Sequence, residues 1–457
     1  MDTTLASLAD WMPRQRWFAG KGRSPSLRLV ADWRLEPSGE ADDGVLAVRT
    51  LLVSDDGAAP PVLYQVPVVA RATTHVDVAA AHVIGDPEPG TTLVDGAHDP
   101  AYAAALLQLV AIGGAGSGAA AHARGVPAAT RPPADQLALP AGAGATVLTG
   151  EQSNTSLVYR TPTPVICKLY RQLHPGLNPD IELQSALAAS GSPFVPRAIG
   201  WVEGTWTDPA DPRRSGVGSL AFAQEFLADV EDAWRVALRA AAAGEDFRDR
   251  SRALGAATAQ VHRSLADLFD TAEPAASDCA AVVGSWHRRL AIAIAAVPAL
   301  AERRPAIEAV YARAAEGPWP RLQRIHGDFH LGQAILAPGR GWVLLDFEGE
   351  PMRPMAERTR PDLALRDVAG MLRSFDYVAG SIRLDRPDRS SESVRGWAHD
   401  ARAAFLDGYA TESGDAADHP LLLEALELDK AVYEAIYETR NRPTWVGIPL
   451  RAIARLA

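Results

Sequence analysis

The first part of the chain alternates apolar and polar residues with the period of two that half-buried strands require. Three segments show this pattern, "LRLVADWRL", "GVLAVRTLLVS" and "PVLYQVPVVAR", with Gly, Pro and Asp residues between them. The pattern predicts β-strands joined by turns. The next stretch, "HDPAYAAALLQLVAIGGAG", predicts a helix that ends at glycines. Residues 113–145 are rich in Ala, Gly and Pro, which indicates a loose connection with one or two short strands.

A second β-rich region is predicted from Ala145 onward. The stretch "TVLTGEQSNTSLVYRTPTPVICKLYRQL" indicates three strands separated by a polar turn and a second turn. A helix follows in "NPDIELQSALAAS", with Asn178 or Asp180 as its N-cap, and "SLAFAQEFL" is a further strand. From about Glu231 the apolar residues recur at helical spacing, except over 323–347. We expect a β-rich module, a five-stranded lobe with one helix, and a large helical lobe.

Composition narrows the class of protein. The 457 residues are 47% hydrophobic, enough for more than one domain, and the net charge of −11 gives no basic stripe for nucleic acid. Cys167 and Cys279 indicate two reduced thiols rather than a disulfide framework. The N-terminus lacks the apolar core of a signal peptide, and Pro298 breaks the longest apolar stretch. We therefore expect a cytoplasmic protein without nucleic-acid or membrane partners, either a monomer or a weak homo-oligomer.

Lys168 lies on a predicted strand, "VICKLY", between apolar residues. A lysine there needs either solvent on one face or a buried acidic partner, and Glu182 in the following helix can supply one. A strand lysine paired with a helix glutamate is the arrangement by which protein kinases hold ATP phosphates. The preceding turn, "GEQSNTS", offers small polar groups that can cradle phosphate oxygens; its candidates are Ser153, Asn154, Thr155 and Ser156. A plain hairpin tip and an edge-strand lysine are the structural alternatives.

Polar residues that could take part in catalysis are most concentrated in "HGDFHLGQ", which lies between two apolar runs. Asp328 is bracketed by His326 and His330, and Gln333 follows it by five residues. In a kinase catalytic loop, an aspartate orients the acceptor hydroxyl and an amide five positions later binds Mg²⁺. Asp346 ends the next apolar strand, "WVLLDFEGE", where a carboxylate can also ligate Mg²⁺. A hydrolytic metal site and a purely structural loop remain alternatives, although neither explains Lys168.

These motifs together resemble a known family. "HGDFHLGQ" is similar to the H-G-D-x-H-x-x-N loop of the aminoglycoside phosphotransferase and choline kinase group, with Gln333 in place of Asn. The glutamine and "DFEGEP" resemble actinobacterial maltokinases and their relatives. Further similar stretches are "RQRWFAGKGR", "EQSNTS", "NPDIEL", "DFEGEPMRPMAER", "LRDVAGMLRSFDY" and "ELDKAVYEAIYETRNRPTWVGIPLRAIARL". The resemblance implies an α+β, bilobal, eukaryotic-protein-kinase-like fold. It would comprise a cap domain (1–90), an intermediate β-rich ATP-binding lobe (91–226) and a mostly helical C-terminal lobe (227–457).

The resemblance also implies ATP, Mg²⁺ and a small sugar as acceptor. By motif position, Asp328 would be the catalytic base, and Gln333 and Asp346 the metal ligands. Lys168 would contact the nucleotide phosphates. The backbone near Glu225 and Phe226 would meet the adenine.

The acceptor stays open between two sugars, because maltokinases phosphorylate maltose at O1 and glucosamine kinases phosphorylate glucosamine at O6. Glu434 and Glu438 share one helical face, which is either a solvated face or a wall of the sugar pocket. The remaining substrate candidates are His330, Arg440 and Trp445.

Other classes remain open as well. An aminoglycoside- or choline-type phosphotransferase and a nucleotide-binding pseudokinase are alternatives, although the catalytic set is intact. A protein kinase is disfavoured, because the chain lacks a G-x-G-x-x-G loop, H-R-D and A-P-E. The basic residues of "RQRWFAGKGR" are Arg14, Arg16, Lys21 and Arg23. We expect them to serve packing rather than to form a phosphate site.

Overall fold

The structure is a computed structural model, and it divides the chain into two compact units. The first unit comprises residues 1–189 and 196–228, and the second comprises residues 190–195 and 229–457. The residues it describes are 3–36, 44–118, 121–140, 143–148, 150, 153–209, 211, 213–350, 353–386, 391–413 and 415–457.

The first unit is built on one antiparallel sheet, which has twelve strands among the described residues. Their order across the sheet is β4-β5-β3-β2-β1-β6-β7-β11-β12-β10-β9-β8. The strands are β1 (Leu27–Arg34), β2 (Val45–Asp55), β3 (Val62–Ala72), β4 (Val83–Glu88), β5 (Thr91–Asp95), β6 (Gly114–Ser117), β7 (Ala121–Pro127), β8 (Thr146–Val147), β9 (Asn154–Tyr159), β10 (Val165–Tyr170), β11 (Ala198–Thr207) and β12 (Ser215–Glu225). The three alternating segments of the sequence form β1, β2 and β3, as predicted.

The sheet continues from the predicted cap into the predicted ATP-binding lobe. Arg34 of β1 pairs with Ser117 of β6, and the Gln65 side-chain amide donates to the carbonyl oxygens of Tyr170 and Leu220 at 2.9 Å each. The sequence boundary at residue 90 falls between β4 and β5, which pair with each other. The division of this unit into cap and lobe therefore stays a prediction.

Three helices flank this sheet: α1 (Thr3–Trp11), α2 (Pro100–Ile112) and α3 (Pro179–Ala189). Asp99 caps α2 by accepting a hydrogen bond from the Ala101 amide at 2.9 Å, and Gly113 ends it with a φ of 94°. The helix packs Leu106 into a core that also holds Trp33 and Phe222. This core thus joins residues from both β-rich regions of the sequence.

The basic segment near the N-terminus serves packing. The Arg23 guanidinium pairs with Asp55, whose side chain is fully buried, and the Lys21 ammonium bonds to the carbonyl oxygens of Pro13 and Gln15. These contacts support the structural interpretation of "RQRWFAGKGR". Trp17 and Phe18 of the same segment are buried against Tyr64.

The second unit is mostly helical, with one small sheet. Its strands are β13 (Glu231–Asp232), β14 (Ala334–Ala337) and β15 (Gly341–Leu344), in the order β13-β14-β15. Its helices are α4 (Ala233–Ala243), α5 (Arg248–Leu268), α6 (Ala276–Ala296), α7 (Arg304–Glu316), α8 (Met355–Arg358), α9 (Leu365–Asp385), α10 (Ser391–Ala410), α11 (Asp415–Asp418), α12 (Pro420–Asn441) and α13 (Gly447–Leu456). No helix in the described part of the chain is both long and apolar enough to cross a bilayer.

Helix α9 is the centre of this unit and is buried along most of its length, packing against α4, α10, α12 and α13. The polar residues that the sequence predicted to be functional lie at one end of the hairpin β14–β15. The segment 326–333, which we call the polar loop, ends where β14 begins, and Asp346 follows β15 by two residues. The two motifs that the sequence places thirteen residues apart therefore meet at one end of the hairpin.

Candidate active site

The polar loop is held by a buried carboxylate that the sequence interpretation did not select. Asp367, in α9, accepts hydrogen bonds from the backbone amides of His326 (2.8 Å) and Gly327 (2.9 Å). His262 lies 3.0 Å from the same carboxylate through Nε2, and its Nδ1 contacts the Tyr409 hydroxyl at 2.9 Å. Because Asp367 is fully buried and uses both oxygens, it fixes the loop backbone two residues before Asp328.

Two glycines let other chain segments approach this loop. Gly327 has a φ of 86°, and a Cβ there would lie 3.0 Å from the Cα of Gly349. Gly370 of α9 faces the loop directly, since a Cβ there would lie 2.5 Å from the carbonyl oxygen of Phe329. A side chain at either position would therefore displace the polar loop.

Gln333 and Asp346, the predicted metal ligands, lie together. The Gln333 amide Nε2 donates a hydrogen bond to the Asp346 carboxylate at 3.1 Å. The other amide atom, Gln333 Oε1, is left as an oxygen that could ligate a metal. Asp346 adopts a φ of 66°, in the left-handed region that few non-glycine residues occupy. Backbone strain of this kind persists where the surroundings hold a side chain in a required direction. An amide oxygen and a carboxylate are the hard ligands that Mg²⁺ prefers, so these residues fit the metal.

Asp328 lines a pocket formed entirely within the helical unit. The pocket walls come from the polar loop, the segment after Asp346, and helices α6, α9 and α12. The lining residues are Arg289, Gly327, Asp328, Phe329, Glu350, Arg353, Arg366, Gly370, Leu426, Asp429, Lys430 and Tyr433. Its enclosed part is only about 40 Å³, because charged side chains bonded to one another fill it.

Lys430 is the cation nearest Asp328. Its Nζ lies 3.5 Å from Asp328 Oδ1 and 4.0 Å from Glu350 Oε1. Burial lowers the pKa of Lys430, but the carboxylates of Asp328 and Glu350 outweigh burial, and the net pKa is raised. Lys430 is therefore charged at neutral pH and holds the Asp328 carboxylate by ion pairing.

Asp429 gives the pocket an unusual feature. It is 3% exposed, and Oδ2 binds the Arg289 guanidinium, whereas Oδ1 is buried and has no hydrogen-bond partner among the described residues. Burial raises the pKa of Asp429 against the opposing effect of Arg289 and Arg366. A buried carboxylate oxygen without a donor is costly, and a ligand that donates to it would offset that cost.

Glu434 and Glu438, which the sequence suggested for the acceptor, do not line the Asp328 pocket. The carboxylate of Glu434 binds the Arg373 guanidinium at 2.7 and 2.9 Å, and that of Glu438 binds Arg442 and the Tyr377 hydroxyl. Both side chains are buried, so the interpretation of this helix face as solvated is wrong. A helix turns by roughly 100° per residue, so Asp429 and Glu434, five residues apart, point about 140° away from each other around α12, whereas Lys430 shares a face with Glu434. The acidic side chains that line the pocket and could bind the sugar are therefore Asp429 and Glu350.

The other substrate candidates lie outside the pocket lining. Arg440 is exposed, and the Trp445 ring packs on Tyr377 with 6.3 Å between centroids and under the Arg442 guanidinium. His330 belongs to the polar loop and accepts a hydrogen bond from the Gly332 amide at 3.0 Å through Nδ1. Burial lowers the pKa of His330, so it is neutral at pH 7.

Lys168 lies on β10 of the first unit, between Ser156 of β9 and Phe222 of β12. Asp180 is an acidic partner of Lys168, with 3.2 Å between Nζ and Oδ2. The sequence suggested Glu182, two residues further along α3. Asn178 is the N-cap of α3, because its side-chain oxygen accepts from the Asp180 amide at 2.8 Å. The strand lysine therefore has an acidic partner at the start of the following helix.

The predicted phosphate-binding turn is shorter than expected. Asn154, Thr155 and Ser156 belong to β9, and only Ser153 of the candidates precedes the strand; residues 151–152 lie outside the described residues. Thr155 is buried and accepts a hydrogen bond from the Arg171 guanidinium at 2.8 Å. Its hydroxyl serves the core around the Arg171–Asp95 ion pair, with 3.1 Å between Nη2 and Oδ2.

Glu225 ends β12, and Phe226 follows it directly. The Glu225 amide donates to the carbonyl oxygen of Arg197 at 2.9 Å, and the Phe226 amide donates to that of Pro164 at 2.8 Å. The backbone amides of these two residues are therefore engaged within the sheet. The chain passes into the second unit three residues later, at Asp229, whose φ is 54°.

A strand lysine with an acidic helix partner, a loop aspartate followed by an amide, and a strand-end aspartate define a kinase-type phosphotransferase. The family model described as "Phosphotransferase enzyme family" matches residues 144–420, and that of the "Maltokinase N-terminal cap domain" matches residues 11–99. The chain belongs to the phosphotransferase enzyme family. The expected kinase-like fold, with a β-rich N-terminal region and a helical C-terminal part, is confirmed.

Similar proteins narrow the class further. A glucosamine kinase from Streptacidiphilus jiangxiensis is 33% identical over 335 residues, which cover 68% of this chain and 74% of the relative. A glucosamine kinase from Mycolicibacterium smegmatis is 30% identical over 68% of this chain and 78% of its own length. A solved glucosamine kinase in complex with glucosamine, ADP and inorganic phosphate matches over 98% of both chains, at 25% identity and a TM-score of 0.67. The chain is an ATP-dependent sugar kinase that uses ATP and Mg²⁺.

Proposed function

We propose that this enzyme transfers the γ-phosphoryl group of ATP to O6 of glucosamine. The observation that carries this choice is the buried, unpartnered Oδ1 of Asp429 in the pocket that also holds Asp328. A protonated amino group is the sugar substituent that best satisfies such an oxygen, because an ammonium donates a charge-assisted hydrogen bond. The likeness to glucosamine kinases supports the same choice.

Glu350 extends the acidic side of the pocket. Its carboxylate contacts Arg353 at 3.3 Å and lies 4.0 Å from Lys430. An amino sugar entering here would compete with Lys430 and Arg353 for carboxylate oxygens. The enclosed pocket is smaller than a hexose, so binding requires these side chains to rearrange. A neutral sugar gains less from that rearrangement than a cationic one.

Asp328 is the proposed catalytic base. It orients the O6 hydroxyl and accepts its proton while O6 forms a bond to the γ-phosphorus. The bond from that phosphorus to the oxygen bridging it to the β-phosphate breaks, and ADP leaves with the electron pair. Lys430 and the Asp367-bound loop backbone hold the carboxylate in place.

Gln333 Oε1 and the Asp346 carboxylate are the proposed Mg²⁺ ligands. A Mg²⁺ ion held by these residues would supply positive charge for the phosphates. The Gln333–Asp346 hydrogen bond orients both ligands, and the left-handed backbone of Asp346 directs its carboxylate.

The nucleotide roles of the first unit stay proposals. Lys168 is proposed to contact the phosphates, with Asp180 as a partner that orients it and Glu182 as the further acidic candidate. Because the amides of Glu225 and Phe226 are engaged, we expect the adenine to take its donor from residues 227–228. The proposed functional division is a cap over 1–90, an ATP-binding lobe over 91–226 and a catalytic lobe over 227–457.

The experiment is a comparison of acceptors with position-specific detection. The enzyme is incubated with ATP, Mg²⁺ and, in turn, glucosamine, glucose, N-acetylglucosamine or maltose, and the phosphorylated carbon is identified by ³¹P–¹H NMR. The proposal expects phosphate on O6 of glucosamine, with glucose and N-acetylglucosamine poor. Phosphorylation of maltose at O1, with glucosamine inert, would instead support the maltokinase alternative. Transfer only to an aminoglycoside or to choline would overturn both sugars.

A further inference from the structure

A second cavity lies in the helical unit and shares no lining residue with the Asp328 pocket. Its volume is about 660 Å³, and its walls come from α9, α10 and α13. The lining residues are Arg373, Asp376, Ala379, Gly380, Arg383, Arg395, Ala398, His399, Arg402, Ile448, Arg451, Ala452, Ala454 and Arg455. Six arginines and one histidine therefore face a space with a single lining carboxylate.

The helical period brings these arginines together. On α10, Arg395 and Arg402 are seven residues apart, and on α13, Arg451 and Arg455 are four apart, so each pair shares one helix face. Small side chains between the arginines keep the space open. Gly380 of α9 permits close packing against α13, since a Cβ there would lie 2.6 Å from the Ile448 side chain.

Three of the arginines form a neutralised floor. Asp376 accepts from Arg373 (2.6 Å), Arg402 (3.3 Å) and Arg455 (2.8 Å). Behind this floor, Glu434 binds Arg373, and Glu427 binds Arg402 and Arg455. These ion pairs fix the floor arginines in position without cancelling the charge of the whole cavity.

The other three arginines are different. Within the described ranges, Arg383, Arg395 and Arg451 form no ion pair. Burial lowers the pKa of Arg451, and the positive charge of Arg383 lowers it further. Arg383 and Arg451 therefore repel each other, and an anion between them would relieve that repulsion; Arg395 and Arg451 are exposed at the mouth of the cavity, where a ligand can reach them.

We propose that this cavity binds a phosphorylated small molecule with at least two phosphate negative charges. Guanidinium groups bind phosphate oxygens in pairs, and several arginines on different helices suit a multiply charged group. A volume of about 660 Å³ is within the range of small-molecule sites. The net charge of −11 and the three enclosing helices disfavour a nucleic-acid strand. The proposal does not depend on which sugar the enzyme phosphorylates.

The test is binding of inorganic diphosphate and of glucose 1,6-bisphosphate, measured by calorimetry at constant ionic strength without Mg²⁺. The test variant is the double substitution Arg395→Gln and Arg451→Gln, which removes two arginines that neutralise no described carboxylate. The matched control is Arg288→Gln with Arg14→Gln, two exposed arginines that form no ion pair within the described ranges. A third protein, Lys168→Ala, separates this cavity from the proposed ATP site.

We expect at least one of the two probes to bind wild type, the control and Lys168→Ala with similar affinity, and to bind the test variant at least tenfold more weakly. Each variant should retain its unfolding transition, which differential scanning calorimetry checks. Equal binding by the test variant and wild type would overturn the site. If sodium sulfate at the same ionic strength stabilised the wild-type protein against unfolding as much as the phosphorylated probes do, the site would not be selective for phosphate. Tighter binding of an RNA oligonucleotide, lost in the test variant, would assign the cavity to a macromolecule instead.

Discussion

Asp367 binds the backbone amide of His326 at 2.8 Å, two residues before the proposed catalytic base. The same carboxylate also binds the Gly327 amide, so one buried side chain from α9 sets the path of the polar loop. The reacting geometry therefore depends on a residue 39 positions away in sequence from Asp328.

Replacing Asp367 with asparagine should misplace the loop. The amide retains one acceptor oxygen but puts an N–H₂ group against a backbone amide, and a displacement of about 1 Å can cost 10²-fold in rate. We expect kcat to fall by about 10- to 100-fold with a small change in KM for ATP. Steady-state kinetics checks this split, and circular dichroism checks the fold. A loss confined to thermal stability, with normal kcat, would contradict the positioning role.

The substitution Asp328→Asn should abolish transfer while ATP binding stays nearly intact. Asparagine keeps the shape but cannot accept a proton, and loss of a catalytic carboxylate costs on the order of 10² to 10⁴ in rate. Coupled ADP-release assays measure the rate, and calorimetry measures nucleotide binding. Asp270→Asn, at an exposed position, is the control. Turnover within a few-fold of wild type would remove Asp328 from the mechanism.

The substitution Asp346→Ala should raise the Mg²⁺ concentration needed for half-maximal activity and lower the maximal rate severely. It removes one hard oxygen ligand and also the acceptor that orients the Gln333 amide. A Mg²⁺ titration at saturating ATP provides the measurement. If the titration curve matches that of wild type, the metal is bound by other residues.

Asp429→Asn should weaken the preference for glucosamine over glucose. The change keeps the volume of the side chain but removes the charge that would bind an ammonium, and a hydrogen bond to a charged group contributes about 1.5–3 kcal/mol, roughly 10- to 100-fold in selectivity. The ratio of kcat/KM for the two sugars is the measurement. Glu424→Gln, which removes an Arg-paired carboxylate elsewhere on α12, is the matched control. An unchanged ratio of kcat/KM values would show that Asp429 does not recognise the amino group of the sugar.

Asp362 should contribute stability that depends on pH. Burial raises its pKa, but Arg366 and Arg353, at 2.7 and 2.9 Å, outweigh burial and hold the pKa below its ordinary value of 3.8. The folded state therefore binds this proton less readily than the unfolded state, so the contribution is complete above about pH 5 and is lost as the pH falls below about 4.

Removing that carboxylate tests the pH window. Asp362→Asn leaves Arg366 without its paired carboxylate and Arg353 with Glu350 alone, which should lower the free energy of unfolding by about 3 kcal/mol at pH 7. Urea unfolding at pH 7 and at pH 3.5 provides the comparison. The difference between wild type and variant should shrink at the lower pH; a constant difference would mean that Asp362 acts through packing.

The sequence predicted those parts of the site whose residues lie close together in the chain. Gln333 and Asp346 flank a short hairpin, so their meeting follows from spacing and strand length. The same reasoning placed Lys168 on a strand. It suggested Glu182 and did not select Asp180, because both lie on the first turn of α3 and spacing alone does not identify every side chain that reaches the lysine.

Contacts between distant segments could not be predicted in the same way. The choice between Asp429 and Glu434 depends on how α12 is rotated against its neighbours, which the buried ion pairs with Arg289 and Arg373 set. Strand β11 was not predicted, although its pairing with β7 and β12 puts it inside the sheet. The arginine cavity draws on three separate helices, none of which is unusual by itself.

The continuous sheet of the first unit has a consequence for any attempt to shorten this chain. Because β6 pairs with β1, and Arg171 is buried against Asp95, the N-terminal segment is not an appendage that can be cut away cleanly. A shortened chain starting after residue 99 would expose the unpaired backbone of β6 and leave Arg171 without its carboxylate. The first ninety-nine residues therefore belong to the same folding unit as the strands that follow them, and a shortened chain would need a replacement for Arg171, directly after β10.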